Sequence, residues 1–316
     1  MKTETITIMK LTTLPALLTA TALLALNATS TSFAAERHEQ KELPAGDGGT
    51  LTFKAVVGAI EIKTHDQDTV SYRAEIKPGG GLFGFGSAPV EDLVFDYETS
   101  GGDVKITMKW KDDKQPRNSN LSARHTLLIP TRYHLDVRTA GGKISGEDIN
   151  GHVAANTSGG SIRFGRVNGD IKARTSGGSI TVADVEGDVE VKTSGGSIQV
   201  GNVAGNVAAS TSGGGIKLGA VTGEVKGSTS GGSISAELAD QIAQPFELST
   251  SGGGIKLAVP GDFKADLDAR TSGGSVDCEL PVQGTIKRSS LNGKVNGGGP
   301  KVTLRTSGGS IKVTKR

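Results

Sequence analysis

The 316-residue chain contains a single cysteine, Cys278, and few aromatic side chains. One cysteine excludes both a disulfide-stapled scaffold and a cysteine-rich zinc module. Aromatic residues make up only 4% of the chain, which argues against an ordinary globular core of this size. Lysine and arginine number 35 against 33 acidic residues, and this formal net charge of +2 excludes a strongly basic nucleic-acid-binding protein and an acidic tail.

Glycine, in contrast, is abundant. The chain has 47 glycines, whereas an average usage of ~7% would give roughly 22. A glycine content this high is typical of collagen, of disorder, or of a repeat in which glycine turns the chain. A repeat is therefore the first pattern to examine.

The N-terminal segment 1–35 has the pattern of a secretory signal peptide. A lysine-bearing start precedes Leu14–Leu26, an uncharged, mostly apolar stretch of 13 residues, and small residues follow, which predicts cleavage after Ala34 or Ala35. The apolar stretch is too short to span ~30 Å of hydrocarbon. We therefore expect an extracytoplasmic mature chain with no transmembrane segment, and a periplasmic location is favoured over secretion or the cell surface.

A Thr-Ser-Gly-Gly motif recurs along most of the chain. From the variant copy at Thr139 to the copy at Thr229, every interval is 18 residues. The next two intervals are 21 residues and the last is 35. The copies begin at Thr157, Thr175, Thr193, Thr211, Thr229, Thr250, Thr271 and Thr306.

Each copy contains two short segments in which apolar and polar residues alternate. Ile162 and Phe164 flank a polar residue, a further apolar residue stands at Val167, and Ile171 and Ala173 alternate after a glycine-bearing turn. This alternation is the period of a β-strand, whose successive side chains lie on opposite faces. One unit cannot bury its apolar face alone, so we expect the units to stack.

Stacking predicts an all-β fold, a single-stranded parallel β-helix or β-solenoid with coils of about 18 residues, for which a right-handed coil is favoured. Each inward residue then lies over its counterpart one coil away, at ~4.8 Å. The corner glycines are expected to supply positive φ values and to leave room between stacked corners. One expected inward ladder consists of Ile162, Ile180, Ile198, Ile216 and Ile234.

The pattern divides the mature chain into three parts. A polar lead-in covers 36–48, an irregular N-terminal β region covers 49–135, and the regular repeat covers 136–316. The gap before the last motif is expected to hold a degenerate coil near Asn292 and Gly293. The final strand, with its charged residues including Lys312, is expected to end the array and to oppose open stacking.

The Thr-Ser-Gly-Gly-Ser-Ile unit, with the Val-x-Gly-Asp/Glu/Asn-Ile/Val step between copies, resembles a large bacterial β-strand-repeat family. Members of that family are described as candidate adhesins and are related to the toastrack domains of envelope proteins. The resemblance covers about 49–316. It implies a β-helix displayed outside the cytoplasm, in some members beside envelope-stress regulators, and it transfers no catalytic residues to this chain.

One segment outside the repeat presents apolar residues on a glycine-rich loop. Gly79–Gly84 matches GxGxxG, but the following sequence cannot open the long helix that a dinucleotide site needs. The same loop carries Leu82, Phe83 and Phe85. Packing of these side chains onto the solenoid is one interpretation, and an exposed tip that contacts a partner is the other.

No residue pattern indicates catalysis, a cofactor or a metal site. No two of the five histidines have a metal or protease spacing, and Cys278 aligns with an inward position, as a small buried hydrophobe. Clustered carboxylates of a polysaccharide-cleaving β-helix are not visible. The histidines are His38, His65, His125, His134 and His152.

Outward positions are mixed in charge. Arg163, Lys217 and Lys256 fall in one predicted outward column that also contains neutral residues, and Lys172 falls in another. Neither column is a charge stripe that identifies a ligand, so an ordinary solvated surface is expected. An ice-binding role for the threonine column is disfavoured, because the position that would need a second threonine carries other residues.

The sequence thus predicts an exported, non-enzymatic envelope protein, an adhesin-like binding or scaffolding β-solenoid. Its expected partner is a protein or glycan of the envelope or surface, and not nucleic acid. Three alternatives remain: a self-assembling structural solenoid, an envelope-stress-associated periplasmic protein, and a β-helical carbohydrate-active enzyme.

Overall fold

The computed structural model describes residues 36–79, 90–112 and 120–316. Within these ranges the chain forms two long, mostly parallel β-sheets, and its one helical element is the 3-10 turn Val90–Asp92. Strands are numbered along the chain, and the sheets are called sheet A and sheet B. The predicted all-β solenoid is confirmed.

Eleven coils form the array within the described ranges, and each coil contributes a strand to sheet B and then a strand to sheet A. The sheet B strands are β2 (Thr50–Ala55), β6 (Asp103–Trp110), β8 (His134–Thr139), β10 (Val153–Thr157), β12 (Ile171–Arg174), β14 (Val189–Lys192), β16 (Val207–Thr211), β18 (Val225–Thr229), β20 (Phe246–Thr250), β22 (Ala265–Thr271) and β26 (Lys301–Thr306). The sheet A strands are β3 (Ala59–His65), β7 (Leu121–Pro130), β9 (Ile144–Gly146), β11 (Ile162–Phe164), β13 (Ile180–Val182), β15 (Ile198–Val200), β17 (Ile216–Leu218), β19 (Ile234–Glu237), β21 (Ile255–Val259), β23 (Val276–Cys278) and β27 (Ile311–Lys315).

The core is a set of buried ladders between the two sheets. Ile162 pairs with Ile180, and Ile180 with Ile198, so that like residues stack coil on coil as predicted. A third column lies at the corner between the sheets, where Val167 bridges Val185 in parallel. These side chains are all buried. Stacked small aliphatic residues therefore build the core that large aromatics build in many globular proteins.

Spatial order differs from chain order at both ends of the array. The coil β2–β3 lies between the coils β6–β7 and β8–β9. The C-terminal coil β26–β27 lies between β20–β21 and β22–β23. The prediction that Lys312 lies on a terminal strand is wrong, because β27 pairs on both sides, with β21 and with β23.

Antiparallel strands cover much of each end. On sheet A, β4 (Thr69–Pro78) pairs with β7, and β1 (Arg37–Pro44) pairs with β4. On sheet B, β5 (Leu93–Ser100) covers β6, and the hairpin β24 (Val282–Lys287)–β25 (Ser290–Val295) covers β22. The degenerate coil predicted near Asn292 and Gly293 is therefore this antiparallel hairpin. Such caps replace parallel edges that a second array could extend.

Glycines at the regular corners are required by the close approach of neighbouring coils. A Cβ on Gly160 would clash with the carbonyl of Gly142, and a Cβ on Gly178 would clash with that of Gly160. These glycines are not among the residues with positive φ. The expectation that the corners need left-handed backbone is wrong, and the expectation of crowding between corners is confirmed.

The threonine of each motif is buried and bonded to the preceding coil. Thr193 Oγ1 donates to the carbonyl of Gly178 at 2.8 Å, and Thr211 Oγ1 donates to that of Gly196 at 2.8 Å. Thr193 Oγ1 also accepts the backbone N–H of Gly196 in its own corner at 3.4 Å. The threonine column is therefore internal and cannot serve as an ice-binding surface.

At the N-terminal end, His125 is fully buried in an aromatic cluster. Its Nε2 donates to the Val57 carbonyl at 2.9 Å, and its Nδ1 accepts from the Tyr72 hydroxyl at 3.0 Å. Its ring centroid lies 5.2 Å from that of Phe53. Burial lowers the pKa of His125 to about 4, so the folded protein keeps this ring neutral.

Replacing Thr193 by valine should lower the free energy of unfolding by about 2 kcal/mol, because the Gly178 carbonyl loses its buried donor while the side-chain shape is kept. Ser194→Ala is the matched control, since Ser194 is exposed on the same corner, and it should stay within about 0.5 kcal/mol of the native protein. Urea denaturation measures both. Equal losses in the two variants would contradict the role assigned to the threonine.

The neutral state of His125 predicts acid sensitivity. Its pKa falls from 6.5 to about 4 on folding, so its contribution is complete above pH 6.5 and is lost as the pH falls towards 4, by about 3 kcal/mol. His125→Gln should flatten the slope of unfolding free energy over this interval. Urea titrations at several pH values measure that slope, and an unchanged slope in the variant would refute the assignment.

Candidate functional site

A groove of about 690 Å³ lies on the outer face of sheet B. It runs across the coils from β8 to β18, with Thr50 of β2 at one end. Two parallel columns of side chains line it, together with the inward residues between them, Leu135, Val153, Ile171, Val189 and Val207. The second column consists of Ala154, Lys172, Glu190, Ala208 and Lys226. We call this feature the sheet B groove.

The first column of the sheet B groove consists of polar residues that immediately precede the inward residues of successive strands. From His152 onward, the backbone N–H of each residue donates to the side chain one coil earlier. His152 N–H donates to His134 Nδ1 at 2.9 Å, and Asp188 N–H donates to Asp170 Oδ1 at 2.9 Å. The column consists of His134, His152, Asp170, Asp188, Asn206 and Glu224.

These side-chain acceptors satisfy backbone donors at a turn where strand pairing has not yet begun. Sequence analysis did not identify this column. Its signal was present, because a side chain that can accept a hydrogen bond recurs there every 18 residues from His134 to Glu224. The apolar positions of the repeat predict the strands and the core, whereas the polar turn residues are equally well explained as turn formers.

Two of the five histidines of the chain, His134 and His152, are neighbours in this column. The rings of His134 and His152 stack at a centroid distance of 5.0 Å and an interplanar angle of 14°. His152 Nδ1 lies 3.3 Å from an Asp170 carboxylate oxygen. Because Nδ1 of each ring accepts a backbone N–H, the neutral rings carry their proton on Nε2. The N-terminal end of the groove therefore offers two imidazole donors.

The charged residues of the second column contact carboxylates. Lys172 Nζ lies 2.7 Å from Glu190 Oε2, and Arg174 contacts the other oxygen of the same carboxylate. The hydrogen bond from Lys172 lowers the pKa of Glu190, with a further contribution from Arg174. Lys226 Nζ lies 2.8 Å from Glu224 Oε1, in the first column. The groove is lined by four acidic residues and two lysines, so it offers hydrogen-bonding groups with an excess of negative charge.

Cys278 and the predicted partner-contact loop lie outside the sheet B groove or outside the described residues. Cys278 pairs in register with Val313, as its alignment with the inward column predicted. It is half-buried, and desolvation raises the pKa of its thiol, which disfavours the reactive thiolate. Leu82, Phe83 and Phe85 lie outside the described residues, so their role as a partner-contact loop stays a prediction.

Within 36–79, 90–112 and 120–316, no group of three or more His, Cys, Asp or Glu side chains is placed to hold a metal ion. In the same part of the chain, no helix has the length and apolar character needed to cross a membrane.

Comparison with known proteins identifies a family. The model of the Toastrack DUF4097 family matches residues 60–314. No curated protein matches this sequence.

Several solved structures are similar over most of the chain. A candidate cell adhesion protein from Clostridium sporogenes is 11% identical, with 89% of this chain and 100% of that chain covered and a TM-score of 0.27. A candidate adhesin from Bacteroides fragilis is 10% identical, with 89% and 99% covered and a TM-score of 0.39. A candidate lipid-binding protein from Parabacteroides distasonis is 17% identical, with 88% and 96% covered and a TM-score of 0.42. At these identities and TM-scores, none of the three carries an argument about what this chain does.

Proposed function

The chain belongs to the Toastrack DUF4097 family, and on that premise we propose that it is an exported, non-enzymatic protein of the bacterial envelope that binds or scaffolds a partner in an adhesin-like manner. The observation that supports this most directly is the sheet B groove, which crosses successive coils and repeats one backbone geometry along its length. An extended partner, a protein segment or a glycan chain, fits such a surface.

The chemistry of the groove favours binding over catalysis. Its acidic side chains accept backbone hydrogen bonds or ion pairs, as Asp188 does from Asn206 at 2.8 Å and Glu190 from Lys172. The hydrogen bond from Lys172 lowers the pKa of Glu190, whereas a general acid needs a raised pKa. The groups therefore suit recognition through hydrogen bonds.

Export is the part of the proposal that rests on the sequence alone. The basic start and the short apolar stretch Leu14–Leu26 have the pattern of a cleaved signal peptide. Cleavage after Ala34 or Ala35 would leave a chain that begins just before β1. Within this proposal, a periplasmic location is favoured over secretion or the cell surface.

The proposal is tested by expressing the full chain in a bacterial host, separating the compartments and measuring the mature N-terminus by mass spectrometry. We expect a chain beginning at Ala35 or Glu36 in the extracytoplasmic fraction, and cross-links from the sheet B groove to one recurrent envelope component. A chain that retains Met1 and stays in the cytoplasm would contradict export. Cross-linking from the groove that captures no recurrent component would contradict binding through the groove.

A further inference from the structure

The outer face of sheet A carries a row of cations without partners. Each short strand of sheet A has one central outward residue, and these residues stack in register from β11 to β27. We call them the sheet A row. In spatial order the row consists of Arg163, Thr181, Gln199, Lys217, Ser235, Lys256 and Lys312.

All four charged members of the sheet A row are positive and exposed. Among the described residues, none of the four forms an ion pair, because no carboxylate lies within 4.0 Å of its charged nitrogen. In the sheet B groove, by contrast, Lys172 and Lys226 each contact a carboxylate. The cations of the sheet A row and those that line the sheet B groove therefore differ in pairing.

Two of these cations are direct neighbours. Lys256 and Lys312 are register partners on the adjacent strands β21 and β27. Like charges directly opposite on a sheet destabilise the pairing. The adjacency exists only because β27 inserts between β21 and β23, so the coil exchange at the C-terminal end is what brings these two lysines together.

Carboxylates border the row at both ends and beside it. At the N-terminal end the register continues through Ser145 to Glu61, which is ion-paired with Lys63 at 3.2 Å. Glu237, in the next outward position of β19, is ion-paired with Arg316 at 3.1 Å. Asp277 follows Lys312 in register on β23, at the C-terminal end of the row, and its carboxylate accepts from the Ser275 hydroxyl at 3.1 Å.

Serine hydroxyls stand beside part of the row, two residues before its members. Glycine holds this position before Lys217 and Lys256, and serine holds it before Arg163 and Lys312. Ser161 Oγ accepts the backbone N–H of Ser179 at 3.2 Å, and Ser179 Oγ accepts that of Ser197 at 3.2 Å. Each of these hydroxyls keeps its own proton to donate to a ligand. The face thus combines fixed positive charge with adjacent hydrogen-bond donors.

From this juxtaposition we propose that the outer face of sheet A binds an acidic linear glycan along the axis of the array. The inference goes beyond the proposed function, because it assigns a second binding face on the side of the array opposite the sheet B groove. From Arg163 to Lys312 the row crosses six strand intervals, about 29 Å at ~4.8 Å each. A single file of cations of this length matches a polymer that carries its acidic groups at intervals along one chain.

The same surface disfavours the other polyanions. No aromatic side chain stands in the row, and single-stranded nucleic acid binding usually relies on bases stacked on aromatic rings. A lipid surface would favour exposed apolar side chains beside the cations. Among the described residues, the one large hydrophobic side chain that is strongly exposed is Ile286, on strand β24 of the other sheet.

The test uses the full chain and polygalacturonate as the acidic glycan, with binding followed by isothermal calorimetry. The native protein should bind, and its affinity should fall as the salt concentration rises. The triple variant Lys217→Gln, Lys256→Gln, Lys312→Gln should bind about tenfold more weakly, since three exposed charge contacts are lost. Dextran, a neutral glycan, should not bind.

The matched control removes the same charge from sheet B, outside its groove. Lys54, Lys287 and Lys301 are exposed, and the triple variant Lys54→Gln, Lys287→Gln, Lys301→Gln should keep the native affinity within about twofold. Thermal melts of both variants establish that they fold.

Three outcomes would overturn the assignment. These are absence of binding by the native protein, equal weakening in the two triple variants, and binding to anionic vesicles or oligothymidylate in preference to polygalacturonate. None of them bears on the extracytoplasmic location or on cross-linking from the sheet B groove, so failure here is distinguishable from failure of the proposed function.

Discussion

The close approach of successive coils at their glycine corners is the constraint on which the structure depends. Parallel strand pairing sets the coils ~4.8 Å apart, and at the corners this brings one backbone against the next, with no space for a Cβ on Gly160 or Gly178. The buried threonine beside each corner donates its hydroxyl across the same interval. Backbone spacing therefore determines both the glycine and the threonine of the motif.

Fixed spacing turns every position of the repeat into a column. Inward columns become the aliphatic ladders of the core, and outward columns become continuous lines of like or unlike chemistry. Sheet B uses its outward columns for hydrogen bonds and ion pairs, as at Lys172 and Glu190. Sheet A leaves Lys217 and Lys256 without counter-charges. The array therefore offers two different surfaces to extended partners, a groove lined by more acidic than basic residues and a row whose charged members are all positive.

Repetition explains what the sequence could predict. The Thr-Ser-Gly-Gly period and the alternation around Ile162 and Ile180 predict strands, register and inward faces, because each copy repeats the same pattern of apolar and polar residues. The ends could not be predicted in this way. Placement of β27 between β21 and β23, and of β2–β3 inside β6–β7, depends on which strands pair over long separations. Local periodicity carries no information about that choice.

The candidate surfaces were predicted less well than the fold. The polar column from His134 to Glu224 was visible as an 18-residue recurrence, yet its bonds to the next coil follow from turn geometry that periodicity does not describe. The unpaired state of Lys256 and Lys312 depends on the exchanged position of the last coil. The composition suggested a balanced surface, because the net charge of the whole chain does not distinguish one face of the array from the other.

The most direct measurement of the central constraint compares two adjacent glycines of one corner. A Cβ on Gly142 would clash with the Gly58 carbonyl, whereas a Cβ on Gly141 meets nothing within 4 Å. Chemical denaturation should show that Gly142→Ala loses about 3 kcal/mol or more of unfolding free energy, and that Gly141→Ala stays within about 0.5 kcal/mol of the native protein. Equal stability of the two variants would contradict the account.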